Sequence, residues 1–94
     1  MDSILNTNKG HCFICGRICA THKHHIFGAS NRSNSENLGL WVYLCPECHN
    51  MSNRGVHNNR KNDLMLKKIA QREFEKTHTR EQFISIIGRN YLDD

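Results

Sequence analysis

Two Cys-x-x-Cys units, Cys12–Cys15 and Cys45–Cys48, stand in a chain of only 94 residues, and they limit what it can fold into more than any other feature. A chain this short removes only about 60–65% of its unfolded surface from water, so a domain of this size commonly adds a metal or disulfides to a thin core. The two-residue spacing lets both sulfurs of a pair reach one ion at about 2.3 Å, and four such thiolates make a tetrahedral structural zinc site. Gly16, after the first pair, lets the backbone turn under the metal. Disulfides are the competing use of cysteine. The opening MDSILNTNKG has no charged segment followed by an apolar run, and no apolar stretch approaches the roughly 20 residues a membrane span needs. The expectation is therefore a soluble chain in a reducing cytoplasm, with its cysteines on metal. The fifth cysteine, Cys19, is read as a small core residue or an exposed thiol.

The remaining composition fits one small domain over residues 1–94. Thirteen basic against nine acidic residues give a net +4, and 37% of the residues are hydrophobic. Residues 12–58 read as a zinc-bound core and 59–94 as a helical extension. Met1–Gly10 is polar without period, a loose arm or a short helical turn. Thr21–Phe27 predicts a short strand, Gly28–Glu36 a loop by its Gly, Ser and Asn content, and Leu40–Leu44 a strand ended by Cys45 and Pro46. A helix is expected from Cys48, interrupted near Gly55. Leu66, Ile69, Ala70 and Phe74 recur at helical spacing with charged residues between them, and Thr79–Gln82 is a capping-box signature that opens a second helix carrying Phe83, Ile86 and Ile87. The fold class predicted is α+β with a helical tail.

Six of the seven histidines also lie in the first part of the chain, where a zinc closed by four cysteines has no use for them. His24-His25 at a strand-like end, and His49 directly after Cys48, suggest a second, open metal site. Adjacent side chains on an extended segment face opposite ways, so one histidine of the pair can ligate while its neighbour stays a free base. With an unperturbed pKa near 6.5, such a base can take a proton from water at neutral pH. His11, His22 and His78 are read as ordinary polar side chains.

Cys-x2-Cys, His-His-Ile, an asparagine-bearing loop and Leu-Cys-x2-Cys-His, in this order over residues 12 to about 58, resemble the HNH endonucleases. The segment HHIFGASNRSNSENLGLWVYLCPECHN, followed by GVHNN and a tail ending GRNYL, is similar to small HNH-type proteins of phages and prophages. The resemblance implies a ββα-metal core and hydrolysis of DNA phosphodiester bonds to 5′-phosphate and 3′-hydroxyl ends, in a bacterial host cell. It assigns His25 as general base and His24 and His49 as ligands of one catalytic metal. It also implies an asparagine that orients His25. Asn37 is chosen, although the family asparagine usually sits nearer the second cysteine pair, and Asn31 and Asn34 compete for the role. His57 is a candidate third ligand or phosphate contact. An all-imidazole shell favours Zn, Ni, Co or Mn, while the resemblance also permits Mg.

The modest basic excess agrees with DNA as partner through backbone contacts, for which Arg32, Arg54, Arg60 and Lys61 are the candidates. One such domain reaches one strand, so cutting both would need a homodimer or a larger phage or recombination complex. Two other readings stay open: a zinc-stapled nucleic-acid-binding or recombination accessory module with little turnover, and a zinc-ribbon adaptor in which the histidines are incidental.

Overall fold

The computed structural model describes residues 1–92. Strands β1 (His22–His25) and β2 (Trp41–Leu44) pair antiparallel, with His24 opposite Val42 and His25 opposite Trp41. Helix α1 (Arg32–Leu38) connects them, a single wide helical turn spans Glu47–Met51, and α2 (Arg60–Phe74) and α3 (Arg80–Ile87) follow. The class is α+β, as predicted. Among the described residues no helix is long and apolar enough to cross a membrane.

Strand alternation sorts the sheet into two faces. His22 and His24 share a face with Val42 and Leu44, both fully buried, whereas Lys23 and His25 lie with Trp41 and Tyr43 on the other. The tail closes the core against the first face. Phe27, just past β1, meets Phe83 of α3 edge-on at 5.5 Å, and Phe83 meets Phe74 of α2 at the same distance. Thr79 and Gln82 form the expected capping box at the start of α3. Phe83 is wholly enclosed, and its truncation to alanine should cost about 3–5 kcal/mol. Urea unfolding of the zinc-loaded variant checks this; a midpoint equal to that of the parent would contradict the packing.

Three local expectations need correction. Residues 28–36 are not a loop: a 3-10 turn over Ala29–Asn31 leads into α1. Its polar residues are used for tertiary bonds. The enclosed Ser35 hydroxyl donates to the Phe27 carbonyl at 2.8 Å and accepts from the Phe27 amide at 3.0 Å, while Asn31 Nδ2 donates to the Ile87 carbonyl at 2.9 Å. The helix expected from Cys48 amounts to one turn, after which the chain becomes extended at Ser52. Met1–Gly10 is not loose either. Leu5 is buried, the Ile4 amide donates to the Gly39 carbonyl at 2.9 Å, and Ser3 Oγ donates to the Trp41 carbonyl at 2.6 Å. Gly39 permits this contact: it caps α1 with φ of 70°, and a Cβ there would run into the Asp2 carbonyl oxygen.

Candidate metal centres and the histidine cleft

The first cysteine pair sits on a tight knuckle. The Gly16 amide donates to the Cys12 carbonyl at 2.9 Å with Gly16 at φ 75°, and the Cys15 amide faces Cys12 Sγ at 3.5 Å. The Phe13 amide donates to the Tyr43 carbonyl at 2.8 Å, which fastens the knuckle to β2. The second pair begins where β2 ends. Together Cys12, Cys15, Cys45 and Cys48 lie close enough to hold one metal ion, and all five cysteines are free thiols. Cys15 Sγ and Cys45 Sγ are 3.7 Å apart, close to the separation of about 3.8 Å between two sulfurs on one tetrahedral zinc. Burial pushes the Cys12 thiol up, but the backbone amides of Cys15, Cys45 and Ile14 outweigh it and hold it down at about 6. Burial, then the neighbouring Cys45 and Cys12, raise Cys48 to about 12. Such a set takes up zinc by releasing protons. Cys19 lies outside it.

The second group is made of imidazoles. The amides of Val56 and His57 donate to the carbonyls of Cys48 and His49, at 2.8 and 3.2 Å. This fold-back brings His57 beside His49, where their Nε2 atoms are 3.0 Å apart. His24 approaches both from β1, with ring centroids 5.2 Å from each, and the three side chains lie close enough to hold a metal ion. His24 is only 5% exposed, and its Nε2 is buried with no hydrogen-bond partner among the described residues. A buried polar nitrogen without a partner is costly. A metal ion held with His49 and His57 would supply the missing bond. Burial first, and then the charges of His49 and His57, push His24 down to about 3, so it presents a lone pair at neutral pH. Burial, with His57 and His22, also lowers His49.

His25 faces away from this group and is held by Glu36 of α1: Nε2 donates to Oε1 at 2.8 Å. Lys23 Nζ joins the same carboxylate at 2.8 Å. Hydrogen bonds from Lys23 and then His25 hold the Glu36 carboxyl down at about 2. Because this pKa is depressed on folding, its stabilising effect is present above the ordinary carboxylate range and lost as the pH falls towards 2. A Glu36→Gln variant should therefore be less stable than the parent near neutrality, where the carboxylate is ionised. Urea midpoints of the two zinc-loaded proteins at neutral pH measure it; a variant as stable as the parent there would refute it.

A cleft of about 460 Å³ lined by His24, His25, His57, Asn31, Lys67 and Tyr91, among others, joins the two histidine groups. Arg32 lines an adjoining recess with His25 and His49, and Arg60 borders another beside His57. The other two basic candidates lie elsewhere: Arg54 hydrogen-bonds Cys48, which raises its own pKa, and Lys61 lines a separate groove on α2 with Met65 and Arg72. Asn37 is exposed, and Glu36 stands beside His25 where an asparagine was expected. Asn34 donates instead to Asn31 Oδ1 and the Ile86 carbonyl, at 3.0 and 3.4 Å. His78 stacks on Phe74 at 4.3 Å, away from the cleft.

Two residues of the site were missed from sequence. Glu36 could have been found as the one carboxylate between Asp2 and Glu47, and His22 as the residue two before His24 on the same strand face.

No protein-family model matches the chain, and no match is found among curated proteins or solved structures.

Proposed function

We propose that the protein is a metal-dependent endonuclease of the HNH type, hydrolysing DNA phosphodiester bonds to 5′-phosphate and 3′-hydroxyl ends. The observation that carries this reading is the juxtaposition, at one cleft, of an unpartnered buried imidazole nitrogen in a three-histidine group with a separate histidine held by a carboxylate. What supports a ββα-metal core is the antiparallel strand pair followed by the turn that carries His49 beside the four-cysteine set; α1 between the strands, and the single turn where a helix was expected, depart from that pattern.

His24, His49 and His57 would hold the catalytic divalent ion, whose chemistry is to neutralise charge on the scissile phosphate and stabilise the leaving 3′ oxygen. His25 takes the proton of the attacking water. Its Nε2 already donates to Glu36, so the accepting atom is Nδ1. The carboxylate fixes the ring and its tautomer, and it stabilises the imidazolium that forms. Arg32 and Arg60, beside the histidines, are the phosphate contacts, and binding through them weakens with salt. Three imidazoles suit Zn, Ni, Co or Mn, and Mg is tested with them.

Relaxation of supercoiled plasmid by the purified protein, with each metal supplied separately, tests this reading. Metal-dependent nicking supports it; its absence with every metal rejects it. A second reading is a zinc-stapled nucleic-acid-binding or recombination accessory module without useful turnover. What favours it is that Asn37 is exposed and that His25 Nε2 is bonded by Glu36 where an asparagine was expected.

A further inference from the structure

His22 stands outside the ligand group, yet it touches it at one defined atom. Its Nδ1 lies 3.0 Å from Nδ1 of His49, while Nε2 of His49 faces Nε2 of His57 at 3.0 Å. Both ring nitrogens of His49 are thus engaged, on opposite sides. A neutral imidazole has one N–H and one lone pair. A metal ion shared with His24 and His57 needs the lone pair at Nε2, which puts the hydrogen on Nδ1. At that atom His49 meets His22.

From this geometry we infer that His22 is a positioning residue for the three-histidine metal centre: its Nδ1 accepts the Nδ1–H of His49 and holds that ring in the tautomer and orientation that ligate through Nε2. A ligating histidine generally donates its other ring N–H to an outer partner, commonly a carboxylate, a backbone carbonyl or water, and removal of the partner costs about 10–100-fold in metal affinity. Here the partner is a second imidazole. Its position follows from strand alternation, because His22 and His24 share a face of β1 and so both reach His49, one as acceptor and the other as fellow ligand. The inference rests on His24, His49 and His57 holding a metal, and it concerns affinity and ring orientation, not turnover.

The role can be tested by comparing His22→Phe and His22→Asn. Phenylalanine keeps a ring of similar size without an acceptor, whereas asparagine Oδ1 restores an acceptor near the place of Nδ1. His22 is exposed, so both variants should fold on the intact four-cysteine zinc. Titration of the zinc-loaded proteins with Co²⁺ reads the second site by its imidazole-type visible spectrum. Phenylalanine should weaken that site by about 10–100-fold and asparagine by no more than a few-fold. In the parent protein loaded with zinc at both sites, long-range ¹⁵N–¹H correlation should find His49 protonated at Nδ1. A parent that binds a second ion, with undiminished affinity in His22→Phe or with His49 protonated elsewhere, would overturn the role of His22 alone. If the parent takes up the four-cysteine metal and no second ion, the three-histidine centre fails and this inference with it.

Discussion

Replacement of Cys48 by serine should abolish the fold outright. Cys48 is 1% exposed at the start of the His49 turn, and its thiol belongs to a four-cysteine set that ties the Cys12–Gly16 knuckle to the end of β2. Binding of structural zinc to small modules is worth about 10–16 kcal/mol at neutral pH. Whole domains are stable by only about 5–15 kcal/mol. Loss of one thiolate from a closed tetrahedral site should therefore remove most of the net stability. Circular dichroism and a zinc assay on Cys48→Ser should show less than one bound zinc per chain and no cooperative unfolding transition, and strong chelation of the parent should have the same result. Cys19→Ser is the matched control, because Cys19 lies outside the quartet. A zinc-free Cys48→Ser protein that still unfolds cooperatively at the parental midpoint would refute a structural role for the ion. Acid should act in the same direction. Cys48 is raised to about 12 before metal binds, so uptake releases its proton and apparent zinc affinity falls as the pH is lowered.

If the protein is the proposed nuclease, plasmid nicking by the His25→Ala variant should fall by about 10²–10⁴-fold, the usual contribution of a general base. The side chain leaves the cleft without entering either ligand group. Both metals should stay bound. Some stability should be lost as well, because the His25 side chain is only 11% exposed, while the Glu36 carboxylate keeps Lys23 as partner. The measurement is the nicking rate with the preferred metal, together with metal content and thermal midpoint for parent and variant. Equal rates would strike His25 from the mechanism even if the protein is a nuclease. His49→Ala should behave differently, losing the exchangeable metal along with activity.

The parts of this protein that local spacing determines were legible in its residues. The cysteine quartet follows from two Cys-x-x-Cys units, because any turn that serves one ion brings both thiolates of a pair together. The aromatic and branched run before Cys45 makes β2, and the period of Leu66, Ala70 and Phe74 with the Thr79 cap makes α2 and α3. Placing His24 and His25 on opposite faces required only the alternation of a strand.

What the chain conceals locally was decided by tertiary contact. The Gly-Ala-Ser-Asn-Arg-Ser-Asn-Ser segment reads as a loop, since serine and asparagine compete for backbone hydrogen bonds in isolation. In the folded protein Ser35 and Asn31 make those bonds to Phe27 and Ile87 instead, and α1 forms. That helix delivers Glu36, and not Asn37, to His25. Likewise, nothing local joins His57 to His49, which meet because the backbone after the Glu47–Met51 turn folds back on Cys48 and His49. The sequence by itself determined which side chains are available: four thiolates spaced for one ion, and a set of imidazoles in the same part of the chain. Only the tertiary structure decided that His24, His49 and His57 come together and that Glu36 stands beside His25. The reason is physical, because ligation and proton transfer require contacts at hydrogen-bond distance between residues far apart in the chain, and only packing sets those distances.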